Sequence, residues 1–105
     1  MSTYRVVNKE GQEIYSADPI HPGEILADEL EARSIRQKDF AKRIDMRPPH
    51  LNELLKGKRN FTPRIALKIE SILGINASFW VRAQGEYFLD LARLERSEME
   101  AVDMV

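Results

Sequence analysis

The sequence predicts an all-α fold of five helices, preceded by a short N-terminal arm or hairpin over residues 1–20. Three observations carry that prediction. Apolar residues recur at three- and four-residue spacing over segments of helical length. Pro22, Pro48-Pro49 and Pro63 stand where such segments begin, and Gly57 and Gly74 where they end, as helix boundaries require. A chain of 105 residues with a hydrophobic share of 43% can fill one small core.

The elements follow in order. Before residue 21, Tyr4, Val6 and Val7, then Ile14 and Tyr15, flank the turn-prone "NKEGQ" (residues 8–12). That pattern fits a hairpin or a flexible arm. Pro22 and Gly23 open a first helix with Ile25, Leu26, Glu29 and Leu30 at helical spacing, ending near Arg33. His21, just before it, reads as a cap or packing residue rather than a ligand. A second helix runs from Gln37 to Ile44, with Phe40, Ala41 and Ile44 on one face. After the break Asp45-Met46-Arg47, a third runs from Pro48 to about Lys56, burying Leu51, Leu54 and Leu55. Its two prolines lose little there, because first-turn amides have no partner inside the helix and proline's φ is already helical. Thr62-Pro63 is an N-cap and first position for a fourth helix, with Ile65, Ala66, Ile69 and Leu73 inward. Asn76 or Ser78 caps a fifth, through roughly Leu94. The resulting division is an arm at 1–20, one helical domain at 21–95 and a tail at 96–105.

The near-neutral total charge conceals a segregation. Residues 1–20 carry net −1, residues 21–75 net +3, and residues 76–105 net −3. Within residues 33–59 nine basic side chains face three acidic ones, net +6. Positive charge confined to one segment is the footprint expected of a phosphate-binding surface, although a solvated helix face has the same composition.

Other chemistries find little support. With no cysteine, disulfides and thiolate metal sites are excluded. There is no nucleophile elbow or phosphate-cradling glycine loop, so neither enzyme activity nor a cofactor or metal is expected. The least charged run, residues 72–81, is too short to span a bilayer. No basic segment followed by an apolar one opens the chain, and a cytoplasmic location is expected.

The central spacing is specific. Counting from Gln37, Phe40 is fourth, Ala41 fifth, Ile44 eighth, Met46 tenth, Leu51 fifteenth and Leu54 eighteenth. Two helices crossing steeply need a small residue at their contact, Ala41, and apolar contacts on either side of the turn, Ile44 and Met46. This is the pattern of a helix-turn-helix, whose second helix enters the DNA major groove. The ninth position, usually glycine because its backbone is left-handed, is Asp45, which tolerates that region better than most residues.

Around this motif, "HPGEIL", "QKDFAKRI", "LNELLKGKR", "TPRIALKIESILG" and "SFWVRAQGEY" resemble, in order, the HigA-type antitoxins of the XRE, lambda-repressor-like superfamily. The resemblance covers about residues 21–91. It implies a five-helix homodimer that binds double-stranded DNA at a palindromic operator, represses its own operon and neutralises a RelE-like toxin that cleaves messenger RNA.

Residue chemistry supplies the candidate contacts. Gln37 can hold a phosphate and fix register. Arg47, Pro49, His50, Asn52 and Glu53 avoid the buried stripe of the third helix. Among them Asn52 suits adenine and Arg47 guanine. Lys56, Lys58 and Arg59 follow the helix and reach backbone phosphates. On the fifth helix Phe79, Trp80, Ala83, Tyr87, Phe88 and Leu91 form an apolar stripe, either core or two-fold interface. Two alternatives stay open: a free-standing XRE-family regulator without a toxin partner, and an interaction module that keeps the helix-turn-helix as scaffold.

Overall fold

The computed structural model describes the backbone of residues 5–7, 13–15 and 19–103, and the side chains of residues 19–99. Two short strands, β1 (Arg5–Val7) and β2 (Glu13–Tyr15), precede five helices: α1 (Pro22–Ala32), α2 (Gln37–Arg43), α3 (Pro48–Leu55), α4 (Pro63–Leu73) and α5 (Ala77–Asp103). The strands pair antiparallel with Val6 opposite Ile14, the pairing that the hairpin alternative expects. Its expected turn, residues 8–12, lies outside the described residues.

Three of the helices, α1, α4 and α5, begin on a side chain that caps them. His21 Nδ1 accepts from the Gly23 amide at 2.9 Å, while the Glu24 carboxylate reaches back to the His21 amide at 3.4 Å, a capping box. Thr62 Oγ1 accepts from the Ile65 amide at 3.2 Å ahead of Pro63. Asn76, rather than Ser78, caps α5: its Oδ1 accepts from the Ser78 amide at 2.8 Å.

Three helices end in the same way. After α1, α2 and α3 the chain closes with a paired 6→1 and 5→2 hydrogen bond about one left-handed residue. At α1 the amides of Ser34 and Ile35 donate to the carbonyls of Glu31 and Leu30 at 3.0 and 2.9 Å. At α2 those of Asp45 and Met46 donate to Lys42 and Ala41 at 3.2 and 2.8 Å. At α3 those of Gly57 and Lys58 donate to Leu54 and Glu53 at 3.2 and 2.9 Å. The pivots Ser34, Asp45 and Gly57 have φ of 56°, 52° and 78°. Asp45 thus adopts the conformation that its place in the turn predicts; Ser34 is a second non-glycine pivot that sequence reading missed.

One apolar core unites the helices. Leu26, Leu30, Phe40, Ala41, Ile44, Leu51, Leu54, Leu55, Phe61, Ala66, Ile69, Leu73 and Trp80 are all buried. Ala41 is 1% exposed, as expected of the close α2–α3 crossing. Gly23 marks another close approach. A Cβ there would fall on the Leu54 carbonyl oxygen and lie 3.0 Å from that of Leu55. The start of α1 is therefore pressed against the last turn of α3, which explains the glycine in "HPGE".

The fifth helix departs from expectation. It continues to Asp103 instead of ending near Leu94, so the supposed tail from residue 96 is helical through residue 103. Residues 95–103, "ERSEMEAVD", contain no glycine or proline and are rich in helix formers, leaving nothing to stop the helix.

Candidate nucleic-acid interface

The third helix sorts its side chains cleanly. Leu51, Leu54 and Leu55 enter the core, while Pro49 and Lys56 are exposed and His50, Asn52 and Glu53 half-buried. Gln37, at the start of α2, lies beside this outer face: Asn52 Nδ2 stands 3.5 Å from Gln37 Oε1, the outer limit of a hydrogen bond. The structure therefore brings the expected phosphate and base contacts Gln37 and Asn52 together across the two helices.

The N-terminus of α3 is no ordinary anion site. Arg47 occupies the N-cap without a side-chain cap hydrogen bond, and Pro48 and Pro49 remove two amides that could hold a phosphate. Exposed Arg47 places a cation there instead. At the other end, the left-handed Gly57 turns the chain back so that Lys56, Lys58 and Arg59 cluster at the helix C-terminus. Their positive charge also opposes the partial negative charge of the terminal carbonyls.

The ion pairs divide the basic residues. Arg33 bonds Glu29 at 2.9 Å and Arg36 bonds Asp39 at 3.2 Å. Arg59 Nε donates to Glu53 Oε1 at 2.7 Å, joining two residues both expected at the DNA surface. This hydrogen bond and the guanidinium charge hold the Glu53 carboxyl below the usual carboxylate range, with smaller help from His50 and Lys58. Lys38, Lys42, Arg43, Arg47, Lys56 and Lys58 form no ion pair among the described residues.

Behind the basic turn stands His21. Its ring is 4% exposed, lies edge-on to Tyr87 at 4.8 Å and tilts against Phe61 at 6.1 Å. A Cβ on Gly57 would come within 3.3 Å of its Cγ, so the turn at Gly57 rests on this ring. Burial pushes the His21 pKa down, against the opposing effects of the Glu24 carboxylate and the Arg59 backbone. It is a cap and a packing residue, as the sequence suggests.

The α5 stripe requires correction. Trp80 is fully buried, stacked on Phe61 at 5.3 Å and edge-on to Phe79 at 5.0 Å. It belongs to the core of its own chain and leaves no surface for a partner. Tyr87 turns inward to His21, and Phe79, Ala83 and Leu91 are half-buried. Only Phe88 of the six is exposed. Val81, Gly85, Phe88, Leu89, Ala92 and Met99, all exposed, instead share one outward arc of the helix. Sequence reading also left Gln84 without a role. Its buried side chain accepts from the Phe61 amide at 2.7 Å, anchoring the loop before α4 to α5.

Among the described residues no helix is long and apolar enough to cross a membrane, and no cluster of metal-ligating side chains occurs.

Comparison with known proteins gives concordant findings. A helix-turn-helix family matches residues 26–80. Virulence-associated protein A of Dichelobacter nodosus is 36% identical over 74 residues, covering 69% of this chain and 72% of that protein. An addiction module antidote protein of a HigA family from Coxiella burnetii superposes with a TM-score of 0.70 at 32% identity, over 83% of this chain and 95% of its own. The antitoxin HigA of Pseudomonas aeruginosa, solved with the higBA promoter, superposes at 0.71 with 30% identity, over 78% and 90%.

Proposed function

The chain belongs to the helix-turn-helix family and, within it, to the HigA-type antitoxins of the XRE superfamily; from that premise we propose that it binds its own promoter and neutralises a toxin. The observation that carries the DNA reading is the outer face of α3. That face presents Pro49, Asn52, Glu53 and Lys56, with Gln37 beside it and the basic Gly57 turn at its end. Gln37, Lys56, Lys58 and Arg59 take phosphates and set register. Arg47 and Asn52 read base edges, guanine and adenine respectively, and Pro49 and His50 fill the groove surface around them. The Pseudomonas HigA structure with promoter DNA supports this use of the fold.

The toxin is RelE-like, as the family suggests, and basic. It meets the acidic flanks, net −1 and −3, which favours encounter and orientation more than final affinity. The chain acts as a homodimer in the cytoplasm. The outward arc of α5 around Phe88 supplies the two-fold contact, so two copies of α3 stand about 34 Å apart and read a palindrome. The test combines light scattering of the protein alone with titration of promoter DNA and of the product of the adjacent gene. A dimer that binds both at once is expected. A monomer on DNA would refute the two-fold arrangement. Promoter binding with no toxin encoded beside it would favour the free-standing regulator.

A further inference from the structure

Glu53 is the only carboxylate on α3, and it lies on the face proposed to meet DNA. A negative charge among phosphates is repelled unless a hydrogen-bond donor meets it. In the free protein Arg59 is that donor, at 2.7 Å, with the two side chains 48% and 46% exposed. The bridge follows from the fold. The closure about Gly57, with the Lys58 amide bonded to the Glu53 carbonyl at 2.9 Å, brings Arg59 back beside the turn that carries Glu53.

The major groove offers a second donor. Guanine presents acceptors there and thymine an acceptor and a methyl group, whereas the cytosine N4 amino group is a donor suited to glutamate. Adenine also presents an amino group, but its neighbouring N7 lone pair opposes the second carboxylate oxygen and suits an amide better. Asn52, the adjacent residue, already supplies that amide.

We infer that Glu53 is a specificity-determining residue that accepts a hydrogen bond from a cytosine N4 amino group, and that Arg59 occupies this carboxylate until such a site is met. The inference rests on the DNA-binding reading above. On unrelated sequences the pair stays closed, so one cation is withheld from the phosphates and one anion repels them. On a matching site the pair opens: Glu53 turns to the base and Arg59 to a phosphate. One residue thereby weakens random binding and sharpens choice.

The test is selection of binding sites from a duplex library with a randomised core, using the full chain and Glu53→Gln. The wild type is expected to enrich one cytosine position that Glu53→Gln loses by about fivefold, with a shift toward adenine, the base an amide prefers. On a single scrambled duplex, Glu53→Gln is expected to bind several-fold more tightly. Its dependence on log salt should be steeper by about 0.9, the increment for one more phosphate neutralised. Arg59→Gln should bind the scrambled duplex more weakly yet keep the cytosine preference. Identical base frequencies for wild type and Glu53→Gln, or loss of the preference in Arg59→Gln, would overturn the inference while leaving DNA binding intact. A wild type that enriches nothing and binds without salt dependence would overturn both.

Discussion

Replacing Gly23 with alanine adds one methyl group where the fold has no room for it. The new Cβ would fall on the Leu54 carbonyl oxygen, 3.0 Å from the Leu55 oxygen and 3.1 Å from His21 Nδ1. Two of these three neighbours are backbone atoms at the end of α3, which cannot rotate away. Overpacking of this kind costs about 1–3 kcal/mol. Displacing α1 also loosens the His21 cap, worth about 1 kcal/mol. Against this, alanine is the better helix former by up to about 1 kcal/mol. The clash wins, with a net loss of about 2 kcal/mol at the centre of these ranges. At about 4–8 °C per kcal/mol for a domain of this size, the melting temperature falls by roughly 8–16 °C. Gly85 is the internal contrast, because a Cβ there meets nothing within 4 Å. Gly85→Ala therefore gains about 0.4–1 kcal/mol from reduced freedom of the unfolded chain. Thermal and urea denaturation followed by circular dichroism read both variants. If Gly23→Ala melts at or above the wild type, the close approach of α1 to α3 does not constrain residue 23.

Other expectations follow from the same structure. Asp45→Gly, at φ 52° with no side-chain partner among the described residues, should be neutral or stabilising by up to about 1 kcal/mol, and a clear drop in melting temperature would expose a missed role for the carboxylate. Replacing Lys58 and Arg59 together by glutamine should weaken binding to all DNA sequences and, on the promoter site, lower the log-salt slope by about 1.8, two phosphate contacts' worth; an unchanged slope there would remove them from the phosphate contacts. Because burial lowers the folded pKa of His21, the unfolded chain takes up its proton first. Stability from this residue is therefore complete above an unfolded value of about 6.5 and is lost as pH falls toward the lower folded value. His21→Asn, which can still cap, should flatten that part of the stability–pH curve, and an unaltered curve would assign the dependence elsewhere.

What the sequence could disclose depended on how local the cause was. The caps at His21, Thr62 and Asn76, the break at Asp45 and the core spacing from Phe40 to Leu54 are set within a few residues, and each reads directly from residue type and interval. The α5 stripe could not be partitioned that way. Periodicity tells which residues share a face, but the stripe from Phe79 to Leu91 was wide enough to merge two faces. Only the contact with Phe61 shows that Trp80 points inward, and only exposure shows that Val81 and Leu89 join Phe88 outside. Gln84 was equally hidden, since its partner is an amide 23 positions away. Ser34 lacked the usual glycine signal at a left-handed pivot. The pairing of Glu53 with Arg59 depends on the closure at Gly57 returning the chain, which residue types alone do not reveal.

The repeated closure at Ser34, Asp45 and Gly57 bears on how the chain reaches this state. Each closure fixes the direction in which the chain leaves a helix by hydrogen bonds spanning no more than six residues. Only residues 33–36 separate α1 from α2, and only residues 44–47 separate α2 from α3. Searching for the steep crossing of α2 and α3 therefore closes short loops, and little chain entropy is lost before apolar contacts reward it. Helical chains dominated by such local contacts fold in about microseconds to milliseconds. A molecule that opens transiently would then restore the groove-facing arrangement of α3 within that time.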